Sequence, residues 1–226
     1  MPRERAVLFI DGSNWYHGVK SLGLSSSFHY PNLAAKLAGD AEVLAIRYYI
    51  GEVRGDLGMR RSQNKFLKKI RAQGVHITMG RIEKNRTNPK KNPAQRELLK
   101  LLPKIKPRLS AEDWRHLSAI TTTQFTYYTE KRVDVNIAVD MVTGAANDAY
   151  DTAYLLSADG DFIPAVNAVR TRGKTVIAAS TRHGHELSRA VDGFVLLSRT
   201  WLSGLRAQNF TFTSGATDKM YSLNLA

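Results

Sequence analysis

Two carboxylates one residue apart, Asp159 and Asp161, close the apolar run Thr152-Ala153-Tyr154-Leu155-Leu156-Ser157-Ala158 and stand at the start of a predicted helix. In an α/β sheet this places them at the carboxyl end of a strand, where such folds bind their ligands. Two neighbouring acids repel, and a proton or a cation must relieve them. For an oxygen-only set the fitting cation is a hard divalent ion such as Mg²⁺. An equally good local reading has Asp159 ending the strand in a turn and Asp161 capping the helix that follows.

Two further acids take equivalent places. Asp11 follows the continuous apolar run Ala6-Val7-Leu8-Phe9-Ile10, and Asp134 opens a predicted helix at 134–146. In a parallel sheet the three loops share one edge, so carboxylates far apart in sequence can converge there. With no Cys in the chain and no His beside these acids, the set selects Mg²⁺ or Mn²⁺ over Zn²⁺. Next to a basic surface, the chemistry that fits is phosphodiester cleavage by a metal-activated water. Asn14, one helical turn beyond Asp11, can orient a carboxylate or meet a phosphate. Ser157 is placed to hydrogen-bond a neighbouring Asp, or is simply a strand-end turn residue. Asp140 lies six residues past Asp134, about 120° away around a helix, so it reads as a supporting or structural acid. Lys131 can meet a phosphate, pair with an Asp or face solvent. Trp15 and Tyr16 can stack on an unpaired base, although their spacing with Val19 is that of core residues.

The elements that position these residues alternate. Residues 6–10 form a strand buried on both faces, a helix follows through Val19 and Leu22, and a short helix covers 31–38 with Pro31 near its start. A strand at 43–50, a basic helix at about 57–72 and a strand at 75–79 continue a β-α-β-α-β order, which requires a parallel sheet covered by helices. Residues 83–118 break the pattern. They carry Pro89, Pro93, Pro103 and Pro107, nine basic residues against one acid between 84 and 108, and a helix expected at 94–102. The β-branched and aromatic stretch 120–128 reads as a return to the sheet. Strands at 153–157, 175–179 and 194–197 and helices from 161 and near 184–191 complete the alternation. The expected organisation is one domain over 1–207 with a basic insertion at about 83–118, then a tail over 208–226.

Bulk properties narrow the function. Thirty-three Lys and Arg against twenty Asp and Glu give a net charge of +13 and a pI near 10.0, which favours a polyanionic partner and nucleic acid first. Arg60, Arg61 and Lys65 on the basic helix, with Lys90 and Lys91 in the insertion, are the expected RNA contacts. No apolar run approaches the roughly 18 residues of a membrane span, and the N-terminus leads straight into a strand without a signal peptide. Absence of cysteine removes disulfides and thiolate chemistry and suits a reducing cytoplasm.

Three segments carry a resemblance to a known family. Phe9-Ile10-Asp11-Gly12-Ser13-Asn14, Lys131-Arg132-Val133-Asp134-Val135 with Asp140, and Leu156-Ser157-Ala158-Asp159-Gly160-Asp161-Phe162-Ile163-Pro164 resemble the three motifs of the NYN family, a branch of the PIN-like nucleases. The resemblance spans about residues 6–180. It implies a Rossmann-like three-layer α/β/α fold with a mainly parallel sheet. It also implies an Mg²⁺- or Mn²⁺-dependent ribonuclease, expected as an endonuclease, with Asp11, Asp134, Asp159 and Asp161 as catalytic and metal-holding acids and Asn14 in support. Family members usually have Gly where Arg132 stands and often Gly where Ala158 stands. The rival function is a catalytically weak RNA-binding or adaptor module on the same fold. A phosphatase using a strand-end Asp is disfavoured because the position two residues on is Ser13, and a dinucleotide site because no Gly-rich loop follows the first strand. RNA is the expected partner; the oligomeric state, a homodimer included, is left open.

Overall fold

In the computed structural model, which describes residues 3–53, 56–87, 93–124 and 126–205, the strands form one seven-stranded sheet of order β4-β3-β2-β1-β5-β6-β7. The strands are β1 (Arg5–Asp11), β2 (Glu42–Glu52), β3 (His76–Arg86), β4 (Thr126–Lys131), β5 (Thr152–Leu156), β6 (Thr175–Ser180) and β7 (Gly193–Leu196). The ladders β1–β2, β1–β5, β2–β3, β5–β6 and β6–β7 are all parallel. The chain grows outward from β1 through β2 and β3, then returns to lay β5, β6 and β7 on the other side. The order therefore reverses between β1 and β5, where a doubly wound sheet opens a crevice at its carboxyl edge.

Strand periodicity builds two cores. Ala6, Leu8 and Ile10 of β1 face one layer while Val7 and Phe9 face the other, and β5 repeats this with Tyr154 and Leu156 against Ala153 and Leu155. The first layer is closed by α1 (Gly12–Ser21), α2 (Tyr30–Ala38) and α3 (Leu57–Arg71), which contribute Trp15, Val19, Leu33, Leu67 and Ile70. The second is closed by α6 (Val133–Ala146), α7 (Ile163–Arg170) and α8 (His185–Ala190). From α6 it takes Val133, Ile137, Met141 and Ala145, one residue every four. This is the three-layer α/β/α arrangement that the alternating pattern implies.

The chain divides into two compact units, one built on residues up to Ile82 and from Glu130 onward, the other on Glu83–Thr129. The second unit holds α4 (Pro93–Ile105), a 3-10 turn (Lys106–Arg108) and α5 (Ala111–Thr122). Here the expected strand at 120–128 is corrected, since residues 120–122 end α5 and β4 begins at Thr126. The reason is local. Thr121, Thr122 and Thr123 donate their hydroxyls to carbonyls of residues 117–119, so β-branched residues finish a helix instead of starting a strand. Ser110 caps the other end of α5, accepting from Asp113 N–H at 3.0 Å while its hydroxyl donates to the Asp113 carboxylate at 2.7 Å. Among the described residues no helix is long and apolar enough to cross a membrane. The tail expected at 208–226 lies outside the described residues.

Helix α3 is fastened to the end of β2 by one buried side chain. The Gln63 amide donates to Gly51 C=O at 2.7 Å and accepts from Val53 N–H at 3.0 Å, with only 4% of the residue exposed. Gln63→Leu keeps the volume but orphans one buried carbonyl and one buried N–H, each costing about 1–3 kcal/mol. Urea denaturation is expected to show a loss of about 2–4 kcal/mol, with an unchanged m-value.

Candidate active site

Asp11 is the last residue of β1 and the N-cap of α1. Its Oδ1 accepts from Asn14 N–H at 3.0 Å and its Oδ2 from the Ser157 hydroxyl at 3.1 Å. The turn can lie this close to β2 because residue 12 is glycine. A Cβ there would stand 2.5 Å from Tyr49 O and 2.7 Å from the Tyr48 ring. Ser157 follows β5, the strand beside β1, so this hydrogen bond spans the crevice at the sheet's reversal point. Asn14 bridges the same gap, its Oδ1 accepting from Ala158 N–H at 3.3 Å. Asp11 is 4% exposed, and this burial pushes its carboxyl up to about 7; the hydrogen bonds from Asn14 and Ser157 oppose the shift, and repulsion from Asp134 and Glu130 adds to it.

Asp134 lies in the first turn of α6. The residue is exposed, yet partial desolvation of its carboxylate raises its pKa, and Asp159 and Asp161 raise it further. The residue before the helix, Arg132, has φ 74° and ψ −9°. That left-handed conformation costs a non-glycine residue roughly 1–2 kcal/mol. Asp159 caps the 3-10 turn Gly160–Phe162, its Oδ1 accepting from Asp161 N–H at 3.0 Å, and its own N–H donates to Ser157 Oγ at 3.2 Å. The expected capping role of Asp161 is thereby corrected. A 3-10 turn precedes α7, whose own N-cap is Phe162 with no side-chain bond, so Asp159 caps that turn and Asp161 lies exposed within it.

The structure adds an acid that sequence reasoning missed. Glu130, near the end of β4, accepts from the Ser13 hydroxyl and from Gly51 N–H. Gly51 permits this approach, since a Cβ there would meet Glu130 Oε1 at 2.6 Å. Burial raises the Glu130 pKa against those two hydrogen bonds, and Asp134 adds repulsion. Five carboxylates thus act on one another at the carboxyl edge: Asp11, Glu130, Asp134, Asp159 and Asp161.

The remaining sequence candidates are placed as follows. Asp140 does not join this group. It accepts from the Tyr49 hydroxyl at 2.7 Å and pairs with Arg47 at 3.1 Å, tying α6 to β2. Trp15 and Tyr16 are buried, and Trp15 packs against Phe28 at 5.1 Å between ring centres, so it is core and not a stacking platform. Lys131 is exposed at the end of β4. Arg60, Arg61 and Lys65 are exposed on α3; Lys90 and Lys91 lie outside the described residues. Among the described residues no three carboxylates or imidazoles close on one point as ion ligands. The donor set still fits a hard divalent ion in kind, being all oxygen and carrying charge that no basic partner neutralises in the hydrogen bonds just described.

Stability should report the strain at Asp11. Its pKa moves from 3.8 to about 7, so the folded chain retains a proton the unfolded chain has released. The group's contribution is fully present below pH 3.8 and is lost as pH rises through 7. In metal-free buffer the melting temperature is expected to fall over that interval. Asp11→Asn, which keeps the cap, should flatten the slope and be the more stable protein at pH 8 by up to about 4 kcal/mol.

Comparison with known proteins gives the same frame. No curated protein matches the sequence. A crystal structure of a protein of unknown function from Vibrio parahaemolyticus is similar over 85% of this chain and 92% of that one, with a TM-score of 0.50 at 19% identity, a likeness of fold. The NYN domain model matches residues 103–198, which include Glu130, Asp134, Asp159 and Asp161. Residues 103–198 are thus similar to the NYN domain, a likeness that accords with the α/β/α fold.

Proposed function

We propose that this protein is an Mg²⁺- or Mn²⁺-dependent ribonuclease that hydrolyses RNA phosphodiester bonds at the carboxyl edge between β1 and β5, acting as an endonuclease. The observation that supports this most is the mutual repulsion of Asp11, Glu130, Asp134, Asp159 and Asp161, three of which have raised pKa values. Acids so arranged lose stability in the bare protein and regain it when a cation enters.

Asp11, Asp134 and Asp159 would hold the ion, with Asp161 and Glu130 next to them. When bound, a divalent cation neutralises the scissile phosphate and acidifies a water. The chain's own groups do the rest. Asn14 and Ser157 fix the Asp11 carboxylate between β1 and β5, so its orientation is set before substrate arrives. Asp161, exposed and close enough to Asp134 to repel it, is the acid best placed to take a proton from an attacking water. Arg60, Arg61 and Lys65 on α3 attract the phosphate backbone, and Lys90 and Lys91 are further basic residues for RNA contact. Absence of cysteine accords with a cytoplasmic setting.

The second reading, an RNA-binding module without turnover, is favoured by the lack of three converging ligands among the described residues. One comparison decides between them. Purified protein should cleave single-stranded RNA with Mn²⁺ and not with EDTA, and Asp11→Asn and Asp159→Asn should each lower the rate at least about 100-fold. Equal cleavage by both variants, or none by wild type, removes the nuclease reading. Mn²⁺ at 100 times its Kd is also expected to stabilise wild type by about 2.7 kcal/mol, and Asp134→Asn far less.

A further inference from the structure

A groove of about 330 Å³ runs along α3 where β2 ends, lined by Glu52, Val53, Arg60, Gln63, Asn64, Leu67, Arg71 and Met79. Its size sits at the low end of small-molecule sites, room for one nucleotide and not for a folded partner. Four of its residues, Arg60, Asn64, Leu67 and Arg71, are spaced four, three and four apart. They form one stripe on α3, with the two guanidinium-bearing residues about 16 Å apart along the axis.

The lining divides by chemistry. Half-buried Met79 gives the groove its apolar face, with the buried side chains of Leu67 and Val53 beneath it, and a planar base can lie against it. The Asn64 amide carries both donors and an acceptor, the equipment for a base edge, and Arg60 and Arg71 supply cations for a phosphate on either side. Gln63 belongs to the wall, its two amide atoms already committed to Gly51 and Val53. The same Gly51 donates its N–H to Glu130, so one peptide group joins the groove wall to the acidic cluster. A strand crossing the acids therefore has a defined place for one of its neighbouring nucleotides.

We propose that this groove is a nucleotide subsite, in which α3 and the end of β2 hold the base and phosphate of one nucleotide of the RNA beside the acidic cluster. The subsite rests on the ribonuclease reading for its role, but its occupancy does not depend on metal or turnover. It differs from a general basic surface because it makes binding depend on the base.

The test is titration of the full chain, in EDTA, with the four ribonucleoside 5′-monophosphates and with ribose 5-phosphate, followed by NMR at the Met79 methyl and the Asn64 side-chain amide. At least one nucleotide should shift both signals and bind about tenfold more tightly than ribose 5-phosphate. Asn64→Trp, a change at an exposed helix position that fills the groove, should weaken that nucleotide about tenfold or more with an unchanged melting temperature. Arg71→Ala should weaken nucleotide and ribose 5-phosphate alike by severalfold. Equal binding of ribose 5-phosphate and every nucleotide, or nucleotide binding unaltered by Asn64→Trp, overturns the subsite. Nucleotide binding at these signals from a protein that shows no Mn²⁺-dependent cleavage upholds the subsite and counts against the nuclease reading alone.

Discussion

Unneutralised negative charge at one edge of the sheet is the constraint around which the molecule is built. The opposite edge shows how easily such charge can be balanced. There Arg5, the first residue of β1, pairs with Asp148 at 3.0 Å and Asp151 at 2.8 Å, and Lys174 joins the same two acids. These partners hold the Asp151 and Asp148 carboxyls below their ordinary range, Arg5 acting first on Asp151 and Lys174 first on Asp148. At the carboxyl edge the shifts run the other way, upward for Asp11, Glu130 and Asp134. One sheet thus carries a paired cluster at one end and repulsion at the other, and a chain of net charge +13 does not lack cations to prevent it.

Holding repelling groups together requires rigid supports. The two cores supply them through strands whose alternate residues face opposite layers, so β1 and β5 are packed from both sides up to the residues that end them. Beyond the strand ends, short polar links take over: Ser157 and Asn14 across the crevice, Ser13 and Gly51 on Glu130, Gln63 behind Gly51. Each satisfies a buried polar group whose loss would cost more than the bond itself is worth.

Much of this was legible in the sequence, for physical reasons that differ by residue. Strands buried on both faces leave uninterrupted apolar runs, so β1 and β5 could be placed to within a residue, and with them Asp11 and Asp159. The NYN resemblance was legible in three short motifs, of which the second and third lie in the matched segment. Glu130 was not found because its strand was displaced. Threonines at 121–123 look β-forming, and only their hydroxyl bonds to the preceding turn reveal a helix end. The capping signal Ser110-Ala111-Glu112-Asp113 would have located α5 and pushed β4 toward Glu130. Asp140 illustrates the converse, where helical spacing alone separated a structural acid from Asp134. The groove on α3 had no sequence signature, since it is made by the approach of β2 and β3 residues to one helix stripe.

The peptide group of Gly51 makes the acidic edge observable without substrate. Its N–H points at Glu130 and its C=O is held by Gln63, so the electron density on that one amide follows the charge of the carboxylate it serves. Glycine amides resonate apart from those of other residues, and this one is a built-in spectroscopic gauge. A change in the charge state of Glu130 registers at Gly51 as a chemical shift.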